Sequence, residues 1–335
     1  VVAFRLAQRG LRVLVLERGT RHDPQTFVHN EMEMLPRLYK HGGTQTTVDH
    51  DLVIMQGCAV GGSTVVNNAI WLRADLDRIL PEWKARGADL DADRINQAYA
   101  DLEQKLHVST LPAMLANGGT DVFLRGSAAL DISAYLLDNN RSECIGCGWC
   151  NYGCRYNRKT SMLVTFIPWA ESCGAEFVDN VRSIRLGLNK SAVATVSYAR
   201  HGRQETVQAD RVVICAGAIG SSELLLQNSI TQRGNVGQHF HVLGGVTVTA
   251  EMQQALNGYD GIGLTAVAHA GPDSVIETFF SPPGAFSITL GGWFATHLER
   301  MRRYNYFAQA GVMVGTEPRG QISLDHKGRT RIELS

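Results

Sequence analysis

The stretch Gly57-Cys58-Ala59-Val60-Gly61-Gly62-Ser63-Thr64-Val65-Val66-Asn67-Asn68-Ala69 sets three glycines within six residues and follows them with a short polar, β-branched run. Glycine carries no Cβ, so Gly61 and Gly62 can take positive φ, and the backbone at Gly57 can lie close to a neighbour or a ligand. In such a turn amide N–H groups point outward together, and with the hydroxyls of Ser63 and Thr64 they suit a bulky anion such as a phosphate. An ordinary glycine turn reads the same in isolation. The rest of the chain decides between the two.

Toward the N-terminus, Val1 to Leu11 has Val2 and Leu6 at helical spacing, small Ala3 and Ala7, and Gly10 as a stop. Arg12-Val-Leu-Val-Leu-Glu17 then reads as a buried parallel strand that ends on an acid. A strand of this kind is the second half of a dinucleotide-binding βαβ unit, whose terminal carboxylate accepts hydrogen bonds from an adenosine ribose. Glu17 is therefore the ribose candidate. The first strand of the unit and its G-x-G-x-x-G turn would precede Val1, so a fragment of a longer protein is expected.

Two later stretches complete the pattern. Arg211-Val-Val-Ile-Cys-Ala216-Gly217-Ala-Ile-Gly220 reads as a buried strand running into a helix through small residues, and Asn235-Val-Gly237-Gln-His239-Phe-His241 follows it. Together with the glycine stretch, these segments resemble the glucose-methanol-choline family of flavoprotein oxidoreductases, in the form seen in long-chain alcohol oxidases and cholesterol oxidase-like members. The resemblance implies an α/β fold: a Rossmann-like FAD-binding domain with a parallel sheet, plus an incomplete antiparallel-sheet substrate domain. It implies FAD lying along Glu17, Gly57, Gly61, Gly62 and Ser63, with Asn67, Asn68 and Ala69 at the isoalloxazine edge. Val181 would meet the adenine, and Ala216 and Gly217 would close over the adenosine half. The family's catalytic histidine, with its His or Asn partner, would fall in a C-terminal segment after the substrate sheet, so no catalytic residue is assigned.

Four of the seven cysteines are bunched in Cys144-Ile-Gly-Cys147-Gly-Trp-Cys150-Asn-Tyr-Gly-Cys154. The C-x2-C-x2-C-x3-C spacing matches a bacterial ferredoxin run without its trailing proline. It is equally open to a zinc site or to a disulfide-stapled loop. For a metal site, at least three of these sulfurs should converge, with Trp149 and Tyr152 shielding them. An iron–sulfur cluster or zinc is thus a second candidate cofactor. Related long-chain alcohol oxidases resemble this loop and its sequel Arg158-Lys159-Thr160-Ser161.

Elsewhere, Asp75 to His107 is helical in pattern with Pro81 as a helix start, Thr110 to Gly126 reads as loop, and strands recur from Ala175 to Ala209. From Leu243 the texture becomes alternating Val, Thr and Ile, as in an antiparallel sheet flooring a substrate cavity, with Arg329 to Leu334 as a late strand of it. The expected domains are 1–240, an FAD-binding domain with helical and Cys-rich insertions at 75–160, and 241–335, a truncated substrate-binding domain. Thirty-two basic residues balance thirty-two acidic ones, so bulk charge implies neither nucleic acid nor an anionic membrane surface. No apolar run approaches the roughly 20 residues of a bilayer span. Cys58, Cys173 and Cys215 read as free thiols and point to a reducing cytoplasm.

The function implied is oxidation of an alcohol's CH–OH group by hydride transfer to FAD, with a bulky or long-chain alcohol or sterol as small-molecule substrate and oxygen or an electron carrier as acceptor. The alternatives are a sugar or polyol dehydrogenase feeding an external carrier, an iron–sulfur electron-transfer subunit, and an inactive flavin-binding protein.

Overall fold

Residues 1–189, 192–231, 234–271 and 274–334 are described by a computed structural model. The α/β architecture pairs Leu14–Leu16 in parallel with Glu176–Val178, Val15 standing opposite Phe177. Beyond the strand ends the ladder continues: the Glu17 N–H donates to the Val178 carbonyl at 2.8 Å, and the Val181 N–H to the Glu17 carbonyl at 3.0 Å. Glu17 is thereby fixed at the carboxyl end of the parallel pair, where open α/β sheets gather their ligands. The preceding helix, Val2–Ala7, buries Phe4 and Ala7 against Phe166 and Ala170 of the helix Phe166–Ser172. The Phe4 and Phe166 rings meet edge-on at 5.7 Å, worth about 0.5–1.5 kcal/mol beyond area burial.

The main antiparallel sheet runs, in spatial order, Leu243–Glu251, Phe307–Gly315, Ser274–Phe279, Ala266–Gly271 and Ala134–Leu136. Its last strand comes from well before the others, between the glycine stretch and the cysteines. Residues directly opposite share a face, so Val267, Glu277 and Gly311 line one side. Thr278 points to the other, where a buried Thr120, Thr265 and Thr278 hydroxyl cluster ties the sheet to the helix Gly118–Ala129. A separate antiparallel trio, Arg182–Asn189, Ala192–Arg200 and Arg203–Gln208, follows the expected strands.

Four expectations from the sequence change. Gly118–Ala129 is helix rather than loop, because Asn117 acts as its N-cap: its Oδ1 accepts from the Thr120 N–H at 3.0 Å and its Nδ2 donates to the Gly258 carbonyl. Pro81 lies inside the helix Leu76–Ala85, which starts instead on the Asp75 cap. Arg211–Cys215 has no ladder partner among the described residues, and Val213 is left 56% exposed, although the helix Gly217–Gln227 that follows does form. Thr330–Glu333 pairs with Gln321–Leu324 as a separate hairpin. Its Ile332, with Ile322, packs on Ile219 and Phe240, because the hairpin's apolar face finds the Gly217–Gln227 helix rather than the sheet.

Candidate functional site

The glycine stretch folds against the end of the first strand. Thr20 and Ala59 form a parallel bridge, and the Val60 N–H donates to the Thr20 carbonyl at 3.0 Å. The approach leaves no space for side chains: a Cβ on Gly19 would lie 2.2 Å from the Ala59 nitrogen, one on Gly57 2.7 Å from Ser63 Cα, and one on Gly61 2.8 Å from Val65 Cγ2. Gly61 takes φ +103° and Gly62 φ +58°. Only at Gly62 does the turn face open space, with nothing within 4 Å of where a Cβ would sit. The Gly62 N–H is not presented outward; it closes the turn on the Ala59 carbonyl at 2.8 Å. Thr64 also turns inward, donating to the Gly61 carbonyl at 2.6 Å and accepting from the Met162 N–H. The Ser63 hydroxyl oxygen accepts from the Gly57 N–H at 3.1 Å.

Glu17 stands beside this turn. Its Oε1 accepts from the Gly19 N–H at 2.6 Å. Burial pushes its carboxyl above the usual range, against the pull of the Gly19 and Arg18 amides and the Arg182 and Arg18 charges. Val181 is buried, its N–H engaged by the Glu17 carbonyl and its carbonyl accepting from Arg182 Nη1 at 2.9 Å. The helix Gly217–Gln227 reaches the same region: Gly217 (φ +74°) has only Gln56 Nε2 near its Cβ direction, at 3.7 Å. Glu223 of that helix pairs with the buried Lys40 at 2.9 Å and with Arg18 at 3.3 Å. The Lys40 N–H in turn holds the Gln56 carbonyl at 2.9 Å. Glu17, Gly57 to Ser63, Val181 and Gly217, with Ala216 preceding it, thus form one neighbourhood. Asn67, Asn68 and Ala69 continue away from it toward the cysteine loop.

Ala69 is fully buried yet takes φ +56°, a conformation costing a non-glycine residue about 1–3 kcal/mol and found mainly where the surroundings impose it. The Ala69 N–H donates to Asn67 Oδ1 at 3.3 Å and its carbonyl accepts from the Asn140 N–H at 3.0 Å, and side chains in and beside the cysteine loop hold the residues before it. Lys159 Nζ donates at 2.8 Å to each of the Val65, Asn67 and Cys150 carbonyls. Asn151 Nδ2 donates to the Val66 carbonyl at 2.8 Å, and Arg141 Nη2 to the Asn68 carbonyl. Burial pulls the Lys159 ammonium down to about 8, partly offset by Cys150 and Cys154.

The four loop cysteines do not converge. Among the described residues no group of three or more His, Cys, Asp or Glu side chains is placed to hold a metal ion, and all four cysteines are unpaired. Each sulfur that accepts a hydrogen bond does so locally: Cys144 from the Gly146 N–H, Cys154 from the Arg158 and Lys159 N–H groups, and Cys150 from Arg141 Nη2 at 3.5 Å. Burial raises the Cys144 and Cys147 thiols. At Cys150 burial works the same way, but the Arg141 and Lys159 charges outweigh it and pull the thiol below its ordinary value. The guanidinium and ammonium beside Cys150 favour its thiolate, but no third donor joins it in a metal-holding arrangement among the described residues. Trp149 stacks on His29 at 5.0 Å, and Tyr152 donates to Glu31 within the core around Phe27 and Met34.

A family model described as GMC oxidoreductase matches residues 35–243, more than half of the chain. The chain belongs to the GMC oxidoreductase family. An uncharacterized GMC-type oxidoreductase of Mycobacterium tuberculosis is 28% identical over 331 residues, which cover 96% of this chain and 52% of the relative. A long-chain-alcohol oxidase of Arabidopsis thaliana is 25% identical over 355 residues, 98% of this chain and 47% of the relative. The chain spans about half the length of these curated relatives. Among solved structures, a formate oxidase of Aspergillus oryzae described for its FAD modification superposes with a TM-score of 0.64 at 15% identity, covering 99% of this chain and 74% of that one. GMC oxidoreductases bind FAD, and two observations here fit such a group. The cradle of Gly19, Gly57 and Gly61 admits no Cβ yet opens at Gly62 and Gly217, and the buried Gln56 Oε1 beside that opening has no hydrogen-bond partner. Gln56, Arg141 and Asn151 were not legible as site residues, since polar residues at such spacings carry no pattern. Lys159 stood in a quoted motif, but nothing in sequence showed that its ammonium reaches 92 residues back to Asn67.

Proposed function

We propose that this chain holds FAD extended from Glu17, past Gly57, Gly61, Gly62 and Ser63, to Asn67 and Asn68, with the fully buried Ala69 shaping that edge rather than touching the flavin, within an enzyme that oxidises the CH–OH group of a bulky or long-chain alcohol. The observation that carries the reading is the meeting of a strand-end carboxylate with a glycine turn that is closed to side chains on one side and open on the other. Bound FAD would supply the hydride acceptor. Glu17 would accept hydrogen bonds from the adenosine ribose hydroxyls, charge-assisted by its own carboxylate. The bare backbone at Gly62 would let the pyrophosphate approach, and Gln56 Oε1 would gain the donor it lacks. Ala216 and Gly217 would leave room over the adenosine half, and Val181 would border the adenine by its position beside Glu17.

Residues 1–240 would form the FAD lobe, with 75–160 inserted in it, and 241–335 the substrate lobe, whose sheet presents Val267, Glu277 and Gly311 on one face. The likeness to a long-chain-alcohol oxidase supports an apolar alcohol, with oxygen or an electron carrier as final acceptor. No helix among the described residues is long and apolar enough to cross a membrane. Seven unpaired cysteines, two of them exposed, support a reducing compartment such as the cytoplasm. Anaerobic addition of long-chain alcohols to the FAD-loaded full-length protein tests the reading: bleaching of the visible flavin bands by these alcohols, and not by sugars, is the expected result. Bleaching by sugars alone would replace it with a polyol dehydrogenase.

A further inference from the structure

The loop that carries the cysteines is closed at its neck by an antiparallel bridge between Arg141 and Lys159, reinforced by the Ser142 N–H donating to the Arg158 carbonyl at 2.8 Å. Both neck residues are cationic and buried, Arg141 at 6% exposure and Lys159 at 3%. Burying two cations without a carboxylate is costly unless their donors are satisfied. Lys159 spends all three of its donors on carbonyls, whereas Arg141 reaches the Asn68 carbonyl and Cys150 Sγ through Nη2 and leaves its buried Nε without a partner. Those carbonyls, together with the ones held by Asn151 and Arg141, include four consecutive members of one segment: Val65, Val66, Asn67 and Asn68. Immediately after them comes Ala69, held in its left-handed conformation with its carbonyl accepting from the Asn140 N–H at 3.0 Å.

We propose that Lys159, Arg141 and Asn151 are positioning residues that preset the backbone of 65–69 by gripping its carbonyls from behind, and that the cysteine loop is the frame carrying this grip. The role assigns the loop a function other than metal binding. It rests on the reading of Asn67 and Asn68 as the flavin-facing edge. Carbonyls gathered on one side fix the peptide planes of the whole segment, so the surface it offers on the other side is set before any ligand arrives. That preorganisation lowers the cost of binding. The strain at Ala69 is what the grip holds in place.

Three substitutions test this. Lys159→Met removes three donors at similar volume, Asn151→Ala removes the single bond to Val66, and Ala69→Gly removes the strain while leaving the grip intact. The readouts are the FAD dissociation constant, the sharpness of the bound flavin's visible bands, and amide exchange across 65–69 in the FAD-free protein. Asn151→Ala is expected to weaken FAD about fivefold and Lys159→Met about tenfold or more, each bond being a buried one left unmade. Both should speed exchange at 66–69 and blur the flavin bands. Adding Ala69→Gly to Lys159→Met should recover part of the lost affinity, which a general loss of fold would not allow. Wild-type affinity, bands and exchange in both single variants would overturn the proposal, as would a loss in Lys159→Met that Ala69→Gly leaves untouched. Absence of FAD binding by the unaltered protein would overturn the functional reading and this proposal with it; unchanged variants of a protein that does bind FAD overturn this proposal alone.

Discussion

Alanine placed at Gly61 and at Gly62, one at a time, separates the fold from the site. At Gly61 the new Cβ would lie 2.8 Å from Val65 Cγ2 and 3.1 Å from the Leu163 amide nitrogen, at φ +103°. Left-handed strain costs about 1–3 kcal/mol, and overpacking a filled site adds about 1–3 kcal/mol. Val65 is 2% exposed and belongs to the cluster with Phe27, Met34 and Leu38, so it has little freedom to yield. Gly61→Ala should therefore lose about 3 kcal/mol or more of unfolding free energy. At Gly62 the Cβ meets nothing within 4 Å and φ is +58°, so only the left-handed penalty of about 1–2 kcal/mol applies. The added methyl instead occupies the open face where the pyrophosphate would approach. Urea unfolding and FAD titration, followed by flavin fluorescence, measure the two quantities independently. Gly61→Ala should fail chiefly in the first and Gly62→Ala chiefly in the second. A Gly62→Ala protein that binds FAD as the parent does would refute the reasoning, and so would equal destabilisation by the two substitutions.

Glu17→Ala should weaken FAD by about 1.5–3 kcal/mol, roughly ten- to a hundredfold, through lost charge-assisted hydrogen bonds; dissociation constants from fluorescence quenching check it. Glu277, pushed up to about 7 by burial from 4.5, binds its proton more tightly folded than unfolded, so its contribution is present below about 4.5 and lost as pH rises to about 7. Glu277→Gln should accordingly stabilise the protein at pH 8 and leave it unchanged at pH 4, as read from urea midpoints at each pH. Glu31 accepts from the Gly284 and Ala285 N–H groups at 2.5 and 2.7 Å and from the Tyr152 hydroxyl at 2.9 Å. Glu31→Ala should cost about 2–3 kcal/mol by orphaning these donors, a loss visible in thermal unfolding. Thiol titration of the protein purified and unfolded without reductant should find all seven cysteines free.

Local periodicity and the family's motifs made much of this legible. A parallel strand within Arg12 to Glu17, observed at Leu14–Leu16 with Leu14 exposed rather than buried, the Gly217–Gln227 helix and the antiparallel runs after Leu243 follow from local apolar spacing. The errors share a cause: a local signal with two structural uses. Asn117-Gly118-Gly119 reads as a turn, and the same Asn caps a helix once Gly258 is there to receive its amide. Arg211 to Cys215 has strand composition, but a ladder needs a neighbour, and composition does not supply one. The cysteine spacing permitted a converging site; what the spacing could not reveal is that Arg141 and Lys159 would be drawn beside Cys150 from the loop's neck. In the same way Thr64 looked like an outward donor and is consumed by the Gly61 carbonyl. Gly57 and Gly61, by contrast, were readable because close approach admits no Cβ, and Gly62 because its φ is positive.

The central claim is that one FAD lies in the Glu17 and Gly62 cradle. Equilibrium dialysis of the protein against FAD, alongside a Glu17→Ala, Gly62→Ala double variant, tests it most directly. The parent protein should bind one FAD per chain saturably and the double variant at least a hundredfold more weakly, from the additive loss of about 3 kcal/mol or more at two contacts. No saturable binding by the parent, or equal binding by both proteins, would contradict it.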